Sequence, residues 1–300
     1  MRFGIQLPTF GPTAARSAIE ECARRCEDLG YDSIWANDHV LVPRRLDPPY
    51  GRILECLTTL ALAGAITHRV KLGTSILVLP QREPVLTAKQ LATLDVLSEG
   101  RVICGVGAGY VDDEFEFLGA SPRHKGARLE SYLGVMRALW SEGEIQCEGE
   151  WEKLNDGIFG PRPVHGADLP IWIAGNSERA IQRAARLGDA WHPAGISPAQ
   201  IEGGIARLRT QDGKRRVRVA LKVRAGLTEV CQRPDGQRSP SEVDHPYELL
   251  GTVEEVRDEL RAFQRLGVDY VVMFMFHSSP QELYQSLALF AGQVMPEFVS

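Results

Sequence analysis

Asp38 and His39 stand side by side where an apolar run, Ser33-Ile34-Trp35-Ala36, gives way through Asn37. Histidine titrates near neutrality, and an adjacent carboxylate tunes its basicity, so the pair suits proton transfer. A capping or salt-bridging pair at a strand end would use the same residues. Gly175-Asn176-Ser177 follow a second apolar run and precede a helical pattern. Free N–H groups there, with the Ser177 hydroxyl, would cradle an anion; Asn176 or Ser177 could instead simply cap the helix. Gly105, Gly107 and Gly109 keep side chains away from the end of a third run and expose backbone N–H groups. A fourth run ends Gly73-Thr74-Ser75-Ile76, small enough for a planar ligand to approach the backbone; helix packing explains the glycine as well.

Other polar residues are more ambiguous. Lys222 and Arg224 alternate with Val219, Leu221 and Val223, so they can face a site and hold an anion. Arg216 and Arg218, earlier in the same run, fit surface ion pairs. His192 and His277 each close an apolar run and suit a structural or a site role equally. Asp112, Asp113, Glu114 and Glu116 look like metal ligands, but carboxylates in a helix's first turn favour its positive end. The chain has no GxSxG, HExxH or GxxxxGK[ST] pattern, and no lysine is clearly placed for a Schiff base.

The elements that must position these residues alternate. Short runs rich in Val, Ile and aromatics are followed by segments with apolar residues three and four apart. Eight such units predict a TIM-type (β/α)8 barrel, and a doubly wound open sheet is the runner-up. Gly30, Gly100, Gly188 and Gly267 are expected to end helices. We expect one domain over residues 1–300. Insertions interrupt it at about 142–169, after the fourth helix, and at about 225–251, after the seventh strand. Ile145, Cys147 and Trp151 suggest a hairpin in the first. In a barrel, Asp38 and His39 fall at the C-terminal mouth, where active sites sit.

Of the 300 residues, 44% are hydrophobic and 24% charged, enough for a large core. A net charge of −5, without a dense basic tract, gives no reason to expect nucleic-acid binding. No leader segment or membrane span is expected, and six cysteines without a CxxC fit buried thiols in the cytoplasm.

Four ordered stretches carry a resemblance: GYDSIWANDHV, RVKLGTSILVLPQREPVLTAKQLATLDVLSEGRV, GVGAGYVDDEFEFLG with RHKGARLESYLGVMRALW, and PIWIAGNSERAIQRAARLGDAWHP. The chain resembles the bacterial-luciferase-like flavin and deazaflavin oxidoreductases, and is most similar to the subgroup of probable coenzyme F420-dependent oxidoreductases. The resemblance implies a homodimer acting on a small molecule, with the cofactor in the barrel mouth and its phosphate near the loop after the fifth strand. It implies that His39 acts in proton transfer or substrate positioning and that Asp38 contacts the cofactor. Thr74, Ser75 and Ile76 are implied to buttress the ring, Gly107, Ala108 and Gly109 to contact it, and Gly175, Asn176 and Ser177 to hold the phosphate. The expected activity is hydride transfer to or from F420. An FMN-dependent monooxygenase supplied by a separate reductase is the first rival, and a flavin-storing or flavin-sensing protein the second. The sugar-phosphate dehydrogenases of the family carry glutamate and tryptophan where this chain has Tyr110 and Pro43. Both departures argue against that substrate.

Overall fold

Eight parallel strands close into a barrel in the computed structural model, which describes residues 1–143, 145–148, 153–210, 216–231 and 247–299. The strands are β1 (Arg2–Gln6), β2 (Ser33–Ala36), β3 (Lys71–Thr74), β4 (Leu77–Val78), β5 (Val102–Gly107), β6 (Gln146–Glu148), β7 (Lys153–Asn155), β8 (Ile171–Ala174), β9 (Ala190–His192), β10 (Arg218–Leu227), β11 (Glu248–Gly251) and β12 (Tyr270–Met275). The barrel runs β1-β2-β3-β5-β8-β9-β10-β12 and returns to β1. Between the strands lie α1 (Arg16–Asp28), α2 (Cys56–Ala65), α3 (Pro84–Leu97), α4 (Asp112–Phe117), α5 (Lys125–Trp140), α6 (Glu178–Leu187), α7 (Pro198–Thr210) and α8 (Val253–Leu266), and α9 (Pro280–Leu289) follows the last strand. The predicted barrel is the observed one.

Strand parity builds both the core and the mouth. Trp35 points into the barrel, where it packs with Ile103, Trp172, Ala190, Ala220, Tyr270 and Val272. Its indole needs space on both neighbouring strands, because a Cβ at Gly4 or Gly73 would run into it. Ile34 and Ala36 point outward, into the layer between strands and helices. Asn37, two residues after Trp35, therefore faces inward again, at the rim.

Three details differ from the sequence expectation. Gly30, Gly100 and Gly267 have positive φ of 82°, 82° and 96°, as helix-ending glycines do. Gly188 also ends its helix, as the C-cap of α6, but has φ −100° and leads straight towards β9. A Cβ there would lie 3.0 Å from the Ala184 oxygen and 3.1 Å from that of Ala190, so close approach explains this glycine. The third strand is broken. β3 stops at Thr74, the Ser75–Ile76 peptide is cis, and β4 resumes pairing with β5. The seventh strand, β10, runs on to Leu227, because Arg224–Leu227 gain a parallel partner in β11. The interior of the second insertion, 232–246, and Trp151 of the first lie outside the described residues; β6 and β7 form the expected hairpin.

Candidate active site

The C-terminal ends of the strands surround a cavity of about 1190 Å³. Ten of the eleven site residues expected from sequence line it; Thr74 does not. Thr74 is buried behind the wall, where its hydroxyl donates to the Gly105 carbonyl at 2.7 Å.

His39 lies in the cavity wall, only 9% exposed. Its Nδ1 is 3.0 Å from Glu114 Oε2, and Glu114 Oε1 accepts the Val40 N–H at 2.7 Å. A carboxylate only accepts, so the bond places the ring proton on Nδ1 and leaves Nε2 to meet a ligand. Glu114, read from sequence as one of several helix-start charges, is in fact the buried anchor of His39. Nothing in the pattern set it apart from Asp112, Asp113 and Glu116. Asp112 pairs with Lys125 and Asp113 with Arg45, so these carboxylates do not converge. Among the described residues, no group of three potential ligands could hold a metal.

Asp38 is placed differently from the catalytic role expected of it. Its oxygens accept from Arg82 at 2.5 and 3.1 Å and from the Val78 N–H at 2.9 Å. Burial opposes the Arg82 charge, but Asp38 and Glu55 outweigh it and raise the guanidinium pKa. The pair ties the His39 segment to the chain after the strand break.

A second cluster joins the break after β3 to β9 and β10. Ser75 Oγ lies 2.9 Å from His192 Nε2, and His192 Nδ1 lies 2.5 Å from the Ala220 carbonyl. The carbonyl requires a proton on Nδ1, so Nε2 accepts from the serine hydroxyl. Burial holds the His192 pKa down at about 3. Lys222 stands in the mouth, as its alternation with Leu221 and Val223 suggests, and gives hydrogen bonds to the Ser75 carbonyl at 2.6 Å and Asn37 Oδ1 at 3.4 Å. Burial lowers its pKa to about 8. Arg224 also lines the cavity, paired with Glu248 at 3.5 Å, whereas Arg216 bonds Asp269 at the opposite end of the barrel. His277 is not in the cavity wall; its Nδ1 donates to the Met275 carbonyl.

The neutral state of His192 predicts a pH effect. The unfolded chain protonates this group near pH 6.5 and the folded chain only near 3, so the folded state binds fewer protons between those values. The contribution is fully present above pH 6.5 and is lost as pH falls. From pH 7 to 5 it amounts to about 2 kcal/mol. Denaturant melts at both pH values are expected to lose that much less stability in His192→Gln than in the natural chain; equal losses would show that His192 is protonated when folded.

The helix-capping reading of the loop after β8 is the one observed. Ser177 caps α6, accepting from Ala180 N at 3.3 Å. The Asn176 amide bonds the backbone of Ala194 in both directions, at 2.8 and 3.1 Å, fixing this loop to the one after β9. Gly175 has φ +128°, and a Cβ there would lie 2.7 Å from Ala180 Cβ. The loop still faces the cavity, beside Lys125 and the buried Arg183. Sequence reasoning missed the aromatic wall: Tyr50 lies 4.6 Å from the His39 ring, Phe10 5.0 Å from Tyr50, and Phe274 5.1 Å from Phe10. These residues come from three separate segments, and no local spacing links them.

The profile of one family, luciferase-like monooxygenase, matches residues 1–231. The chain belongs to the luciferase-like monooxygenase family. An F420-dependent glucose-6-phosphate dehydrogenase of Intrasporangium calvum is 26% identical, with 96% of this chain and 95% of that one covered. Among solved structures, the monooxygenase RslO1 from Streptomyces bottropensis has a TM-score of 0.81 at 23% identity over 100% of both chains. An F420-dependent secondary alcohol dehydrogenase, in complex with an F420–acetone adduct, has a TM-score of 0.80 at 18% identity over 98% of both. These relatives make the luciferase-like chain an oxidoreductase; at these identities the structural likenesses carry the fold alone.

Proposed function

We propose that the cavity holds the deazaflavin coenzyme F420 and that the protein passes a hydride between it and a small organic substrate. The observation that carries this is His39, fixed in the wall by a buried glutamate that serves no other ring. A protein that only stores a flavin needs no such group. The cavity fits the cofactor. Its volume exceeds the ~300–1,000 Å³ of ordinary ligand pockets, leaving room for cofactor and substrate together. A Cβ at Gly107 would come within 2.7 Å of Ile76 Cδ1, so the glycine makes room for the Ile76 side chain in the cavity wall.

When bound, F420 supplies a carbon that gives or takes a hydride. Gly107, Ala108 and Gly109, with Ser75 and Ile76, would flank its ring. Gly175 to Ser177, with the cations of Lys125 and Arg183 nearby, would hold its phosphate. His39 Nε2 would give or accept the proton that accompanies hydride transfer, while Glu114 holds the ring and balances its charge. Phe10, Tyr50 and Phe274 exclude water on one side. The second reading, an FMN-dependent monooxygenase, is supported by the luciferase-like monooxygenase family to which the chain belongs. The Tyr110 ring, 6.1 Å from that of His39, occupies the place of the glutamate of sugar-phosphate dehydrogenases, which argues against that substrate. Five free cysteines among the described residues, all buried, support a reducing compartment. No described helix is long and apolar enough to cross a membrane.

Ser177→Asp tests the phosphate loop. Aspartate caps a helix as well as serine, so the melting temperature should hold. A like charge beside the phosphate should weaken F420 binding roughly 10²-fold or more. Unchanged affinity in the folded variant would place the phosphate elsewhere.

A further inference from the structure

We infer that Gln6 and Lys222 form a donor site on the cavity floor for an oxygen that gains negative charge during hydride transfer. The inference rests on the hydride-transfer reading above.

Gln6 ends β1 and lines the cavity. It is 3% exposed, and its Nε2 is enclosed with no hydrogen-bond partner among the described residues. A buried amide left unpaired is costly, and turning its NH₂ group onto a bound ligand would remove that cost. Lys222 lines the same cavity from β10 and bonds Asn37, two residues past Trp35, the β2 partner of Gln6. Its ammonium donates to two neutral oxygens, Ser75 O at 2.6 Å and Asn37 Oδ1 at 3.4 Å. Three protons are available, so one remains, and among the described residues no carboxylate pairs with this charge. Asn37 spends its oxygen on Lys222, so its NH₂ group is the end left over. His192, the other ionisable ring at the floor, accepts from Ser75 and offers no second charge.

An amide can turn to present either end, so the ammonium sets the sign of the site. The missing ligand atom is an acceptor without a proton, which excludes an ammonium or a metal ion. In hydride transfer the pair leaves one carbon with the hydrogen and adds to another. The π pair conjugated with the accepting carbon then moves onto a carbonyl oxygen. Donors fixed where that charge develops stabilise it without rearranging. The oxygen belongs either to the cofactor's ring or to a substrate carbonyl.

Lys222→Met and Gln6→Leu, each checked for folding by melting curve, decide between these sources. With F420 bound, dissociation constants are measured for its oxidised and reduced forms. If the oxygen is the cofactor's, Lys222→Met weakens the reduced form at least tenfold more than the oxidised, a potential shift of about −30 mV for two electrons. If it is a substrate's, that ratio is unchanged. Binding of cyclohexanone, a neutral carbonyl probe followed by ligand-observed NMR, is then lost from both variants but not from the natural chain. Folded variants that change neither quantity overturn the inference. If the natural chain binds neither F420 nor FMN, the cofactor reading fails instead, and the cyclohexanone arm on the cofactor-free protein still decides this one.

Discussion

His39→Asn is expected to lower the rate of hydride transfer by ~10²–10⁴, the usual range for losing an acid–base group. Asparagine keeps a nitrogen near the position of Nδ1, so the contact with Glu114 survives while Nε2 is gone. His39→Ala is the harsher change. It leaves the buried Glu114 carboxylate with the Val40 N–H alone and costs about 1–3 kcal/mol of stability as well. Cofactor affinity should move little in either variant, because the glycine wall and the loop after β8 are untouched. Stopped-flow oxidation of F420H₂ by a turned-over substrate, read beside a melting curve, checks this. A stable His39→Asn chain with a normal rate would reduce His39 to a structural residue.

Breaking the Asp38–Arg82 pair gives the largest expected loss of stability. Asp38's side chain is fully buried and Arg82's only 15% exposed. Arg82→Met strands a buried carboxylate with one backbone N–H, and such losses run to about 3–5 kcal/mol. Asp38→Asn in the same chain should recover part of that, since a neutral amide tolerates burial better than an unpaired charge. Urea denaturation of the single and double variants measures both effects. A single-variant loss under about 1 kcal/mol would mean that solvent reaches the pair.

The barrel was legible in the sequence because each unit repeats one local contrast, a short β-branched run against a segment of period 3.6. The mouth was legible where a strand ends abruptly in polar or small residues: Asn37 to His39, Gly107 to Gly109, Gly175 to Ser177. Partnerships were not. Glu114 lies 75 positions from His39 and Arg82 lies 44 from Asp38. Spacing fixes side-chain direction only within an element, and these contacts form between loops that the closed barrel brings together. That explains how Asp38 and His39, adjacent in sequence, come to different tasks. One is consumed by Arg82; the other is held by Glu114 with a nitrogen to spare. Lys222 shows the opposite case, because alternation with Val223 and Leu221 was enough to aim it inward.

Titration of one preparation with F420 and with FMN, followed by absorbance, tests the central claim most directly. F420 should bind at least tenfold more tightly, and substrates that change its redox state should do so only when it is bound. Tight FMN binding with no binding of F420 would contradict the account and favour the monooxygenase reading.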